Sequence, residues 1–175
     1  MDADEWDISR STPACRFDTA PPPTPAVASP PAGATSVAIR AATTSPEIET
    51  FVEAILADRE QPLVLFALEW CEFCWSLRKL FARCGIPYRA VDLDSTAYQC
   101  EDRGGQIRAV LRARTGSPTI PQVFVGGEYL GGCTDTLDAF KSGQLQALLQ
   151  KHGVAFDESV QLDPHALLPG WIQKR

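Results

Sequence analysis

The sequence is poor in positive charge and in histidine, and each shortage excludes a class of protein. Lys and Arg number 16 against 22 Asp and Glu, which gives a formal net charge of -6. No basic field is therefore present to attract nucleic acid or an anionic membrane surface. No apolar run reaches the roughly 18 residues that a membrane-spanning helix needs. With two histidines and a single close cysteine pair, the four ligands of a structural zinc site are also missing.

The start of the chain, MDADEWDISR, is acidic and lacks the positive n-region and apolar core of a secretory signal. We therefore expect a soluble protein of a reducing compartment, most simply a cytoplasmic one, with most of the six cysteines as free thiols. The stretch APPPTPAVASPPAGATS is rich in proline and small residues. Residues 1–45 are accordingly predicted to be a disordered segment, with a spacer favoured over a ligand for a proline-binding module.

The apolar spacing after residue 45 predicts one folded domain over residues 46–153 and a C-terminal extension over 154–175. Buried strands are expected at 62–68 and 86–94, and a hairpin about Gly126 and Gly127. Helices are expected at 45–60, 73–83, 105–116 and within 134–153. This order predicts a mixed sheet with helices on both faces. The apolar residues of the extension indicate that it docks, either on the domain or on a partner.

The stretch EWCEFCWS contains the close cysteine pair, Cys71 and Cys74. Cys71 follows a predicted strand and opens a predicted helix, where the positive helix end and free N–H groups favour a thiolate. Cys74 lies one turn further on the same helix face, within reach of a disulfide to Cys71. Two inert packed cysteines would suit a mid-helix position better. The pattern therefore favours a redox-active pair.

WCEFC and TIPQVFVGGEYLGGCTD, in this order of elements, resemble the glutaredoxins of the thioredoxin-fold superfamily over about residues 60–152. The resemblance implies an α/β, thioredoxin-like fold with a central mixed four-stranded sheet flanked by helices. It also implies that Pro121, after Thr119 and Ile120, forms a cis peptide that faces Cys71. Ile120 would then pair with an extended thiol peptide lying over the sulfur.

The loop at 131–135, Gly-Gly-Cys-Thr-Asp, matches a second glutaredoxin motif. The resemblance implies that it holds the γ-glutamyl end of glutathione, with Thr134 and Asp135 at its carboxylate and amine and Cys133 inside the loop. Arg108 matches a position whose side chain reaches the glycyl carboxylate. The plainer alternatives are that Thr134 or Asp135 only caps a helix and that Arg108 is a solvated surface residue.

The resemblance implies a glutathione-dependent thiol–disulfide oxidoreductase with a role in electron transport. Cys71 would attack glutathionyl mixed disulfides and protein disulfides, and Cys74 would be the resolving thiol. Glutathione would be the cosubstrate, the partners glutathionylated or disulfide-bonded proteins, and the protein a monomer. The alternative is a carrier of a [2Fe–2S] cluster, in which Cys71 and glutathione from each of two subunits ligate the metal.

Two departures from the glutaredoxin pattern concern charge beside Cys71. Leu68 stands where many members have a lysine, and Glu72 stands where proline or glycine is commoner. With Glu69 also nearby, negative charge surrounds the sulfur. Because a carboxylate disfavours a neighbouring thiolate, we expect Cys71 to form its thiolate less readily than is usual in the family.

Overall fold

A computed structural model describes residues 45–172. Apart from Ser45, the segment predicted to be disordered lies outside the described residues. No helix in the described part of the chain is long and apolar enough to cross a bilayer. The elements, in chain order, are α1 Pro46–Leu56, β1 Leu63–Ala67, α2 Glu72–Arg83, β2 Arg89–Asp92, α3 Arg103–Thr115, β3 Gln122–Val125, β4 Glu128–Gly131, α4 Cys133–Ser142 and α5 Gln144–Lys151.

The four strands form one mixed sheet in the order β2-β1-β3-β4. β1 pairs in parallel with β2 and antiparallel with β3, which pairs antiparallel with β4. Gly126 and Gly127 form the turn between β3 and β4, both with the positive φ that glycine tolerates, 58° and 82°. The predicted four-stranded sheet and its hairpin are therefore confirmed.

Helices cover both faces of the sheet, as the sequence predicts. All five residues of β1 are buried, and they alternate between two apolar clusters. Leu63 and Leu65 belong to the cluster that contains residues of α2, α4 and α5. Val64 and Phe66 belong to the cluster that contains residues of α1 and α3. The period-2 geometry of a strand thus ties the helices on the two faces to one central element.

β2 begins later than predicted, at Arg89 instead of residue 86. The Ile86 N–H donates to the Phe81 carbonyl, 2.9 Å, and completes the end of α2. The closing segment, predicted as one or two helices, is two, because Gly143, with a φ of 83°, ends α4 before α5 begins. Both boundaries are set by backbone hydrogen bonding at helix ends, which apolar spacing does not report.

Residues 154–172 pack on the domain itself. The Asp157 N–H donates to the Cys84 carbonyl at the end of α2, 2.8 Å. The Ser76 hydroxyl donates to the Leu167 carbonyl, 2.8 Å, one turn from the start of that helix. His165 Nε2 lies 2.9 Å from Asp138 Oδ1 on α4. The segment therefore runs back along α2 toward its first turn and also contacts α4.

We expect Leu167→Ala to lower the free energy of unfolding by about 2–4 kcal/mol, the usual cost of removing a buried leucine side chain. Leu167 is 5% exposed and belongs to the cluster beneath α2 and α4. Urea denaturation of the full chain measures the change. Leu162→Ala, at a half-buried position of the same segment, is the matched control and should cost less. Equal and negligible costs for both would contradict the docked position of the segment.

Candidate active site

Cys71 is the N-cap residue of α2, directly after the turn that follows β1. Its φ of -104° and ψ of 116° are extended, and its Sγ accepts the Cys74 N–H at 3.4 Å. The turn that leads into Cys71 is held by a hydrogen bond in which the Glu69 N–H donates to Asp94 Oδ1 at 2.8 Å. An N-cap sulfur faces unpaired backbone N–H groups, which are the donors that favour a thiolate.

Cys74 has the same side-chain chemistry but lies in the core. Its side chain is fully buried, and its Sγ accepts the Leu68 N–H at 3.5 Å. The pKa of Cys74 is raised to about 12, chiefly by burial and also by the neighbouring Cys71 sulfur, against the lowering effect of the Leu68 N–H. Both thiols are free in this structure. The pair therefore combines a half-exposed sulfur with a buried, protonated one.

The Ile120–Pro121 peptide is cis, which confirms that part of the prediction. Ile120 is half-buried and packs against both apolar clusters, including the one that contains Cys74. A Cβ atom placed on Gly132 would lie 3.6 Å from the Pro121 carbonyl oxygen. The cis-proline turn and the loop at 131–135 are therefore neighbours in space.

Two glycines let the 131–135 loop close against its own helix. Gly131 has a φ of 137°, and a Cβ atom there would lie 2.4 Å from the Asp135 Cβ. The Gly132 N–H donates to Asp135 Oδ2 at 2.8 Å. Asp135 therefore does cap α4, as the plainer interpretation holds. The side chains of Thr134 and Asp135 are nevertheless exposed, so capping leaves them accessible to a ligand.

Cys133 is the first residue of α4 and is 7% exposed. The pKa of Cys133 is raised to about 11, chiefly by burial and also by the nearby charges of Cys71 and Asp135. It packs in the same apolar cluster as Cys74, against which Cys71 also lies. The structure thus brings Cys71, Cys74 and Cys133 together, with only Cys71 partly open to solvent among the three.

Arg108 lies on the exposed face of α3, next to the buried Ile107. Within residues 45–172 it forms no side-chain hydrogen bond or ion pair. No described contact joins it to Cys71 or to the 131–135 loop. The position is that of a solvated arginine, and its reach toward a ligand stays a prediction.

Trp171 is a neighbour of the cysteine pair that the sequence did not single out. Its indole N–H donates to Glu72 Oε2 at 2.6 Å, and its ring meets the edge of Phe73 with centroids 6.1 Å apart. Both partners lie between Cys71 and Cys74 in sequence. Trp171 is one of the apolar residues from which docking of the extension is predicted, but the sequence did not indicate its contact with Glu72. One carboxylate beside Cys71 is consequently held by a hydrogen bond.

A family model described as Glutaredoxin matches residues 63–130. With the fold described above, this match makes the protein a thiol–disulfide oxidoreductase with a thioredoxin-like fold. The rice (Oryza sativa subsp. japonica) protein monothiol glutaredoxin-S10 is 34% identical over 151 residues, which cover 82% of this chain and 88% of the rice protein. The chain belongs to the glutaredoxin family.

Two solved plant structures are similar to the fold. Wheat glutaredoxin has 35% identity and a TM-score of 0.55, covering 62% of this chain and 97% of its own. The buckwheat glutaredoxin–glutathione complex has 32% identity and a TM-score of 0.53, covering 62% and 96%. Nearly the whole of each solved protein is therefore matched, but under two thirds of this chain is.

We expect limiting iodoacetamide at neutral pH to label Cys71 and to spare Cys74, Cys84 and Cys133 in the native protein. The three spared thiols are buried, and burial raises the pKa of each, so each has little thiolate to react. Peptide mass spectrometry after a quench reports the order of labelling. Unfolding in urea is the control and should make the four react alike. Native labelling of Cys133 as fast as that of Cys71 would contradict the assigned environments.

Proposed function

We propose that this glutaredoxin reduces glutathionyl mixed disulfides and protein disulfides with Cys71 as its nucleophile. The observation that carries the proposal is the contrast between the cysteines. Of the free thiols at 71, 74, 84 and 133, only Cys71 is partly exposed, and its sulfur receives a backbone N–H at the start of α2. Helix N-termini stabilise anions, and the accessible thiol is the one that lies at such a terminus.

Glutathione lies, in this proposal, between the cis-proline turn and the 131–135 loop. Support comes from the exposed Thr134 and Asp135 and from the first N–H groups of α4, which have no partner inside the helix. Asp135 has one oxygen on the Gly132 N–H and a second available for an amine. Ile120 and Pro121 would flank the sulfur, and a buckwheat neighbour was solved as a glutaredoxin–glutathione complex. Arg108 would reach the glycyl carboxylate.

The reaction is two thiol–disulfide exchanges. The Cys71 thiolate attacks the glutathionyl sulfur of the mixed disulfide, a new sulfur–sulfur bond forms, and the target leaves as a thiolate that takes a proton from solvent. A second glutathione thiolate then attacks the glutathione bound to Cys71. This step releases oxidised glutathione and regenerates the Cys71 thiolate. Each mixed disulfide therefore consumes one free glutathione, and the other half of the oxidised glutathione is the glutathionyl group removed from the target.

Cys74 provides the second way to release glutathione from Cys71. Its thiolate would attack the Cys71 sulfur, form the Cys71–Cys74 disulfide and expel glutathione. Because the pKa of Cys74 is raised to about 12 by burial, very little of it is thiolate at neutral pH. We therefore assign the main flux to free glutathione and the slower, resolving step to Cys74.

The test is the glutathione-coupled reduction of a mixed disulfide of glutathione and cysteine. We expect Cys71→Ser to lose at least about 1,000-fold in kcat/KM, because the other free thiols within residues 45–172 are buried. Cys74→Ser should keep at least half of the wild-type rate. Cys84→Ser, at a fully buried thiol at the far end of α2, is the matched control and should behave as wild type. A Cys71→Ser protein that stays active would contradict the proposal.

The resolving step should depend on pH in a defined direction. Because the pKa of Cys74 is raised by burial, its thiolate fraction is small at pH 6 and grows by about tenfold per pH unit, so glutathione release from Cys71 should accelerate likewise up to about pH 9. Stopped samples of the glutathionylated protein, resolved by intact mass, give the rate. Cys74→Ser should release none. A rate that is flat over this range would show that burial does not limit the step.

Purification without oxygen and with added glutathione decides between this proposal and cluster carriage. Among the described residues, no three His, Cys, Asp or Glu side chains are grouped as metal ligands. A [2Fe–2S] cluster would therefore take one thiolate, that of Cys71, from this chain, and its other ligands from glutathione and a second subunit. A colourless monomer agrees with the proposed reductase. A brown dimer that loses its colour in Cys71→Ser would favour the carrier.

A further inference from the structure

A cleft of about 330 Å³ opens beside the cysteine pair and has no part in the exchange described above. It is lined by Glu69, Trp70, Trp75, Arg78 and Asp92, and we call it the tryptophan cleft. Trp70 directly precedes Cys71, and Trp75 directly follows Cys74. A protein substrate whose cysteine reaches Cys71 would therefore bring its neighbouring residues close to the cleft.

The two rings of the tryptophan cleft face solvent to an unusual extent. Trp70 is 90% exposed and Trp75 is 52% exposed. The Trp75 indole N–H donates to the Glu69 carbonyl at 2.9 Å, and the Glu69 N–H donates to Asp94 Oδ1 at 2.8 Å. The ring of Trp75 is therefore held by its edge while its surface stays open. Large apolar groups left in water beside a reactive sulfur indicate a surface that a partner covers.

The charges around the tryptophan cleft are predominantly negative. Glu69, Asp92 and Asp94 stand against one guanidinium, that of Arg78. Arg78 forms an ion pair with Asp92, so its charge is already matched. The Glu69 carboxylate makes no ion pair within residues 45–172. An unmatched carboxylate next to two open indole rings has the chemistry that binds a cation.

We propose that the tryptophan cleft binds a lysine or arginine side chain of the substrate protein, a few residues from its glutathionylated cysteine. The proposal rests on the proposed function and names the substrate class of the same site. The cation would lie on the ring of Trp70 or Trp75 and pair with Glu69, which combines a cation–π contact with an ion pair. An acidic flanking segment would meet like charge and be rejected. The exchange of disulfides itself is unchanged.

Two synthetic peptides, equal in length and glutathionylated on a central cysteine, test the proposal. One carries lysines around the cysteine and the other carries glutamates. We expect the wild-type protein to prefer the lysine peptide by about tenfold in kcat/KM at low salt, and the preference to shrink as salt screens the charges. Glu69→Gln and Trp75→Leu should each reduce it to under about threefold, since each removes one of the two contacts. The small mixed disulfide, which has no flanking peptide, is the internal reference: the preference is the ratio of the two peptides' kcat/KM values in each protein, so a change in Cys71 reactivity common to all substrates cancels.

Glu60→Gln is the matched control, because Glu60 is an exposed carboxylate before β1, whereas Cys71 follows that strand. It makes the same change of charge and should leave the preference intact. Equal kcat/KM values for the two peptides would overturn the proposal. So would a preference that survives both Glu69→Gln and Trp75→Leu.

A binding titration separates this proposal from the proposed function. Cys71→Ser protein is titrated with the same peptides bearing serine for cysteine, and quenching of tryptophan fluorescence gives Kd without any catalysis. We expect the lysine peptide to bind about tenfold more tightly than the glutamate peptide at low salt. Equal Kd values would overturn the cleft assignment even if the reductase activity is present. A tenfold difference would uphold it even if that activity is absent.

Discussion

The contact between the Cys74 N–H and the Cys71 sulfur, 3.4 Å long, is the constraint on which the rest of the site depends. It places the first sulfur on the end of α2 and, by the pitch of the helix, sends the second into the core. The buried β1 strand delivers the chain to that corner. Two chemically identical residues thereby acquire opposite properties, one half-exposed and the other fully buried with its pKa raised to about 12. The roles proposed for the two thiols, Cys71 as nucleophile and Cys74 as resolving thiol, follow from this difference.

The C-terminal segment, which follows α5, also packs against the helix that carries the cysteines. It contacts α2 at Cys84, at Ser76 and at Glu72, so it lies along the whole helix that carries the cysteines. Trp171 holds the Glu72 carboxylate with its indole N–H. The acidic residue that departs from the family pattern is therefore part of a packed arrangement, whereas the Glu69 carboxylate has no ion pair within residues 45–172. In our proposal, the Glu69 carboxylate selects substrates with a lysine or arginine near the cysteine, because that cation binds in the tryptophan cleft.

Much of the architecture could be predicted, because strand and helix periods and glycine turns are local signals. The hairpin at Gly126 and Gly127 and the helices on both sheet faces follow from spacing alone. The cis peptide before Pro121 came from resemblance to a family, since no local pattern specifies it. The contact between Trp171 and Glu72 could not be predicted, because it joins residues 99 positions apart through tertiary packing. Arg108 is the opposite case, because the glutaredoxin resemblance predicts it as a glutathione ligand, yet it lies on an exposed helix face without a described contact to the site.

The most direct measurement of the central claim is a structure of Cys74→Ser protein after reaction with oxidised glutathione. We expect one glutathione, disulfide-bonded to Cys71, with its γ-glutamyl end against Thr134 and Asp135 and its backbone beside Ile120. The buried thiols at Cys84 and Cys133 should be unmodified. A glutathione on Cys133, or one on Cys71 whose γ-glutamyl end points away from the 131–135 loop, would contradict the account.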